Sequence, residues 1–313
     1  MKYVQTILML LAALGLSQSC IKDDRADCEH VSLYFRYLAD TTKNVLGQYM
    51  DQVDLYVYDD QNNLVQSRTY RRDELKDNAT PRFRLNLGSY HVVAIGNKHD
   101  RTRLLNHTGG TFDNMMMTHP LIARADGTVP GFDANYLGYK DITIPVDVAY
   151  TDTVDLHCSH IDVDVTIKNA VYEGSDGYSL VFDKAYSHTD FWNHVTEQTV
   201  KVVPMLDYNG ISNEFKTVDL NLYRFGRNCP MEMSVVRNAT GEVVAHETMS
   251  HFLARYPRLN FEREEIFLPI EIVFDHLGVT IQLPYWFVKD IDASWGTNAR
   301  QQKPPVRETE AKP

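Results

Sequence analysis

A two-residue alternation of apolar and polar side chains dominates this chain, and it leaves room for little besides β-sheet. In "HIDVDVTIKN", residues 160–169, Ile161, Val163, Val165 and Ile167 fall on one side and Asp162, Asp164 and Thr166 on the other. Successive side chains of a strand point to opposite faces, so such a segment buries one face and wets the other. The pattern recurs in "VSLYFRY" (31–37), "VDLYVYDDQNNLV" (53–65) and "RFRLNLGSYHVVAIGN" (82–97). It recurs again in "DITIPV", "YSLVF", "QTVKVVP", "FKTVDLNLYRF", "MEMSVVRNATGEVV", "EIFLPIEIVF" and "GVTIQLPYWFV". Turn residues at Asp59–Asn63, Gly88–Ser89 and Asn238–Gly241 predict hairpins. The one helical window is "TDFWNHVTEQ", residues 189–198.

Many short strands at close spacing predict an all-β chain of sandwiches, not a barrel or an α/β fold. The strands form two sets, which predicts two sandwiches in tandem over residues 30–152 and 153–292. Between Lys98 and Tyr136 the alternation loosens into glycine, asparagine and aspartate, the pattern of a long loop with one short helix. Residues 293–313 are polar and carry Pro304-Pro305, as a disordered tail would.

The amino terminus reads differently. Lys2 precedes the apolar run Val4–Leu16, too short to span a bilayer but suited to the core of a secretory signal over residues 1–19. Ser17-Gln18-Ser19 then leads to Cys20, and the stretch resembles a bacterial lipobox. That resemblance implies a diacylglyceryl group on the Cys20 thiol, cleavage before it and acylation of the new amine. The alternative is a plainly cleaved signal that leaves Cys20 as a thiol. Lys22-Asp23-Asp24, within an acidic tether over residues 20–29, resembles the export signal of Bacteroidetes surface lipoproteins. The expectation is a protein held in the outer membrane by lipid, facing outward, because no later stretch supplies the ~20 apolar residues of a span.

Chemistry is hard to find. A net charge of -11 argues against a nucleic-acid partner, which would need a basic face. With Cys20 lipidated, Cys28, Cys158 and Cys229 remain, so at most one internal disulfide forms, and the sequence does not choose the pair. His157-Cys158-Ser159-His160 crowds three soft ligands together, yet His157 and His160 should face opposite ways on a strand. No metal or cofactor is expected, and His91, His99, His107 and His119 read as surface residues. Asp162 and Asp164 are explained by alternation without calcium. No nucleophile elbow, phosphate loop, HExxH or paired-carboxylate pattern appears in its required context, so no enzyme is expected. Tyr34, Tyr56 and Tyr58 fall on the polar faces of their strands, where sugar-binding platforms often lie.

"CIKDDRADC", "VSLYFRY", "VDLYVYDDQNNLV" and "LNLGSYHVVAIGN", in this order and spacing, resemble the fimbrial anchor family of Bacteroidetes, the FimB-like lipoproteins of type V pili. The likeness runs from Cys20 to Asn97 and returns at "HIDVDVTI". It implies two transthyretin-like sandwiches, no catalysis, and a place at the base of a pilus or in its assembly. Subunits of such pili join by donor strand, a form of β-augmentation. Stalk subunits lose an amino-terminal strand to protease, whereas a cut at Arg25 or Arg36 here would part the protein from its lipid. Anchor is therefore favoured over stalk, with a pilin as partner. The alternative class is a surface glycan-binding lipoprotein of a nutrient-uptake system. The tail from Gly296 lacks apolar alternation and makes a poor donor strand, while "GVTIQLPYWFV" reads as the second domain's own last strand.

Overall fold

The alternating segments become layered β-sheets in the computed structural model, which describes residues 30–75, 81–109, 112–123, 127–145, 149–170 and 177–293. The first half supplies β1 (Val31–Arg36), β2 (Gln52–Asp59), β3 (Leu64–Arg71), β4 (Arg82–Phe83) and β5 (Gly88–Gly96). Three short strands follow, β6 (Arg103–Leu105), β7 (Met116–Thr118) and β8 (Thr128–Val129). Then come β9 (Tyr136–Ile144), β10 (Tyr150–Asp155) and β11 (His157–Cys158). One sheet has the order β10-β1-β4 and the other β11-β9-β5-β2-β3. Val31, Leu33 and Phe35 from the first sheet meet Val53, Leu55, Val57, Val92 and Ala94 from the second in one core.

The second half begins with β12 (His160–Lys168), β13 (Tyr178–Tyr186), β14 (His188–Asp190) and β15 (Thr199–Val202). It continues through β16 (Leu206–Asn209), β17 (Glu214–Thr217), β18 (Leu220–Tyr223), β19 (Glu232–Arg237) and β20 (Glu242–Thr248). It closes with β21 (Phe267–Asp275) and β22 (Gly278–Gln282). The sheets run β16-β17-β12-β21-β22, with β18 also beside β12, and β20-β19-β13-β15-β8. On β12 the alternation survives intact, with Ile161, Val163, Val165 and Ile167 buried and the residues between them half-exposed. Helices are short: α1 (Leu46–Tyr49), α2 (Arg72–Leu75), α3 (Met249–Ala254) and α4 (Tyr285–Ala293). No helix among the described residues is long and apolar enough to cross a membrane.

The two halves share a device. β1 lies parallel to β10, with Val31 opposite Tyr150 and Arg36 opposite Asp155, and β12 lies parallel to β21, with Asp162 opposite Phe267. A tight turn cannot join parallel neighbours. Each half therefore sends its first strand into a sheet interior and seals it, much later, with a strand from its own end. The result is a β-sandwich-like architecture in two units.

Several expectations need correction. The boundary placed at 152/153 falls inside β10, which pairs with β1 along its whole length, and the sheets change over after Cys158 instead. "RFRLNLGSYHVVAIGN" is not a hairpin, because β4 pairs with β1 and β5 with β2 and β9, so this stretch crosses between sheets. The presumed loop over 98–136 carries β6, β7 and β8, and it reaches into the second half, where β7 pairs with β14 and β8 with β15. "TDFWNHVTEQ" holds no helix. The Asp190 carboxylate accepts the backbone N–H groups of Trp192 (2.9 Å) and His194 (2.7 Å), and Asn193 takes φ 67°. Such side-chain capping and a left-handed residue favour a turn over a helix. "GVTIQLPYWFV" splits into β22, the second half's own edge strand beside β21, and the start of α4. The hairpins at Asp59–Asn63 and Asn238–Gly241 form as expected, the latter with Gly241 at φ 72°.

Candidate functional site

A cleft and a buried polar network lie where the chain passes from one sandwich to the other. β11 ends the first set of sheets at Cys158, the Ser159 N–H donates to the Asn135 carbonyl (3.0 Å), and β12 starts at His160. Arg224, just past β18, turns its guanidinium into this seam. It donates to the carbonyls of Cys158 (3.2 Å), Phe261 (3.1 Å), Arg263 (2.6 Å) and Glu264 (2.9 Å). One cation thus ties the end of the first sandwich to the segment that leads into β21. Arg263 reaches back to Asp40 (3.0 Å), a second link between the halves.

On one side of the seam lies a cleft of about 420 Å³, within the range of small-ligand pockets. Tyr139 and Lys140 of β9, Asp155 and His157 line it, and the 190–194 turn places Trp192 and Asn193 opposite. Trp192 lies 5.5 Å from the Tyr139 ring and 5.4 Å from Phe112, and remains 37% exposed. The polar rim is ordered. Asp155 accepts from Arg36 (2.9 Å), and that hydrogen bond holds its carboxyl below the usual carboxylate range. His157 Nδ1 meets Glu264 (2.6 Å), and this hydrogen bond raises the imidazole pKa. Burial pushes the Glu264 carboxyl up, but the bonds from His157 and the Cys158 N–H outweigh it and leave a net lowering.

Beneath the seam is a buried polar network. Glu265 Oε1 accepts the hydroxyls of Tyr37 and, at 3.1 Å, Tyr136. Burial raises the Glu265 carboxyl, and the two hydroxyls oppose that rise. Beside it, Cys158 Sγ lies 3.3 Å from His160 Nδ1, and that nitrogen donates to the Asn135 carbonyl at 3.0 Å. Burial lowers the His160 imidazole to about 4 and raises the Cys158 thiol.

Residues 25–292 match the family model of fimbrillin-A associated anchor proteins Mfa1 and Mfa2. The chain belongs to that family. Solved structures with the same fold include a protein from Bacteroides thetaiotaomicron described as a putative polysaccharide binding protein. It has 14% identity and TM-score 0.64 over 80% of this chain and 95% of the other. A putative adhesin from Bacteroides ovatus gives 15% identity and TM-score 0.65, covering 82% and 93%. The fimbrial anchor protein Mfa2 from Porphyromonas gingivalis gives 13% identity and TM-score 0.58, covering 80% and 96%. No curated protein matches the sequence. The chain is thus a non-catalytic member of the fimbrillin-A associated anchor proteins.

Sequence expectations for the family member divide at this site. Cys20, Arg25 and Cys28 lie outside the described residues, and so does the tail beyond Ala293. Cys158 and Cys229 are buried free thiols. His157 and His160 do face apart, one lining the cleft and bonded to Glu264, the other in the buried network. Of the three tyrosines, Tyr34 is exposed, Tyr56 half-buried and Tyr58 fully buried. Residues from the 98–118 segment and Phe191 cover the outer face of β2, β5 and β9 with a third core around Tyr58, Phe112 and Met115, so alternation misassigned that face. His119 is likewise buried, its Nδ1 accepting the Leu121 N–H (3.0 Å). Trp192 stood in the sequence inside a presumed helix, and no periodic signal marks Arg224, Glu264 or Glu265.

Proposed function

We propose that this protein is a lipid-anchored surface protein of the outer membrane that anchors or helps assemble a type V pilus, as the FimB-like lipoproteins do. Its two units are then sandwiches of the transthyretin-like kind, and its partner is a pilin engaged by donor-strand β-augmentation. Family membership supports the reading, and one feature of the fold carries it. β1 begins 11 residues after Cys20 and is the inner strand of its sheet, with β10 on one side and β4 on the other. Val31, Leu33 and Phe35 on β1, and Tyr37 just beyond it, are buried, each contributing about 1.5–3 kcal/mol of apolar burial. A lipid on Cys20 therefore pulls on the core of the first sandwich and not on a dispensable arm. Arg36 sits at the end of this paired strand with its guanidinium held by Asp155, a poor substrate for a protease that needs an extended, free chain.

Cys20→Ala tests the reading. The expected result is a folded protein lost from the outer-membrane fraction, with fibres shed into the medium, and acyl groups on Cys20 in the mass spectrum of the wild-type mature amino terminus. An unmodified amino terminus at another position, or wild-type fibre attachment in the variant, overturns it.

A second reading, a glycan-binding surface lipoprotein of a nutrient-uptake system, is favoured by one observation. The cleft presents Trp192 and Tyr139 beside Lys140, Asp155 and Asn193, an aromatic surface with polar neighbours of the kind that holds sugar rings. Affinity electrophoresis in soluble polysaccharides separates the two readings. Retardation abolished by Trp192→Ala supports glycan binding, and unretarded migration leaves the anchor alone.

A further inference from the structure

The buried network at the seam contains a donor set for which anchoring has no use. We propose that Cys158, His160 and Glu265 together bind one divalent transition-metal ion of the zinc class, between the two sandwiches. Among the described residues they are the group of three metal-ligating side chains whose ligand atoms lie close together, all within 4.8 Å of one another. Zinc bonds of 2.0–2.3 Å in a tetrahedron put neighbouring ligand atoms roughly 3.3–3.8 Å apart. Closing the gap takes about 1 Å, within reach of a turn of the Glu265 side chain.

The surroundings already orient the histidine and the carboxylate. His160 Nδ1 donates to the Asn135 carbonyl, so the lone pair sits on Nε2, 3.9 Å from Cys158 Sγ. A backbone carbonyl on the far nitrogen is how ligating histidines are commonly held. Both tyrosine hydroxyls donate to Oε1 of Glu265, and Oε2 has no hydrogen-bond partner among the described residues. One carboxylate oxygen is thus fixed by Tyr37 and Tyr136 while the other stays available. His157 is excluded, because it lines the cleft and lies outside this group of ligand atoms.

Charge and softness select the ion. A thiolate and a carboxylate neutralise a divalent cation, and the imidazole adds no charge. A sulfur–nitrogen–oxygen set suits zinc and disfavours magnesium or calcium, which want oxygen alone. Three protein ligands leave a fourth position for water. Glu265, half-exposed, is the side from which an ion enters, whereas Cys158 and His160 are buried. A thiol must lose its proton to ligate, so binding releases a proton and tightens as pH rises. The ion would join the last residue of β11, the first residue of β12 and the segment before β21; Arg224 already ties the first and last of these through carbonyls.

The test uses the intact mature protein, stripped with a chelator and titrated with zinc sulfate or cobalt chloride. One equivalent of zinc should remain after gel filtration. The cobalt form should show thiolate-to-metal charge transfer with the visible bands of a tetrahedral site. Cys158→Ser and Glu265→Gln should each weaken zinc binding at least tenfold, and His157→Gln should leave it unchanged. The proposal is overturned if the wild-type protein retains no zinc, or if bound cobalt lacks the thiolate band. These two readings on wild-type protein stand even if a variant fails to fold. Undiminished zinc binding in a folded Cys158→Ser protein overturns it equally.

Discussion

Replacing Arg224 by alanine should loosen the joint between the sandwiches more than any other change of one exposed or half-buried charge. The guanidinium donates to four carbonyls, those of Cys158, Phe261, Arg263 and Glu264, at 2.6–3.2 Å. A hydrogen bond to a charged group nets about 1.5–3 kcal/mol, so a simple sum gives roughly 6–12 kcal/mol. That sum is too large, because Arg224 is only half-buried and water can reach part of the vacated space. Counting about half of the lower bound as lost leaves an expected destabilisation of about 3 kcal/mol. Arg224→Lys keeps the charge but offers three donors on a compact head instead of a planar fork, and should lose about 1–2 kcal/mol. Urea unfolding reads the difference. At a slope of about 1–3 kcal/mol/M the alanine variant's midpoint should fall by about 1 M or more. Hydrogen exchange should quicken first at the Cys158 and Asp162 amides, which bond to the Glu264 side chain and the Ile266 carbonyl. A midpoint for Arg224→Ala within about 0.2 M of wild type would refute the argument, since it would mean that the four carbonyls are equally well served by water.

Gly138→Ala should lower the melting temperature, because a Cβ there would lie 2.6 Å from the Asp155 carbonyl oxygen and 2.9 Å from Val154 Cγ1. Overpacking against backbone costs about 1–3 kcal/mol, and an unchanged melt would deny this close approach of β9 and β10. Truncation before Gly296 should leave the fold intact. Truncation before Val279 removes most of β22 with buried Ile281, Leu283, Phe287 and Ile291, and should open the second sandwich to limited proteolysis; resistance would count against the core assignment. The His157–Glu264 pair should make stability depend on pH in both directions. His157, with its pKa raised, contributes fully below about pH 6.5 and loses that contribution as pH rises through the raised value. Glu264, with its pKa lowered, contributes above about pH 4.5 and loses it as pH falls through the lowered value. The stability gap between wild type and Glu264→Gln should therefore peak near pH 5–6, at about 1 kcal/mol or less for so exposed a histidine. A gap independent of pH would contradict the pairing.

Alternation by itself determined that the chain is β, where most strands lie, and which face of β12 is buried, because side-chain direction along a strand is a local property. Turn chemistry at Asp59–Asn63 and Asn238–Gly241 is equally local and equally legible. Local pattern could not decide what covers the other face of a sheet. Tyr58 sits where a solvated residue belongs and is buried because Phe112, Met115 and Phe191 come from elsewhere to lie on it. Nor could it tell a hairpin from a crossover at Gly88, since β4 and β5 alternate in the same way whether they pair with each other or with different sheets. The seam was the least legible part. Cys158 and His160 lie two apart in sequence, but Arg224, Glu264 and Glu265 reach them only through the parallel pairing of β12 with β21 and the antiparallel pairing with β18. Such pairings join residues tens of positions apart, and nothing in the neighbourhood of either partner encodes the other. Their geometry exists only once the sheet has closed.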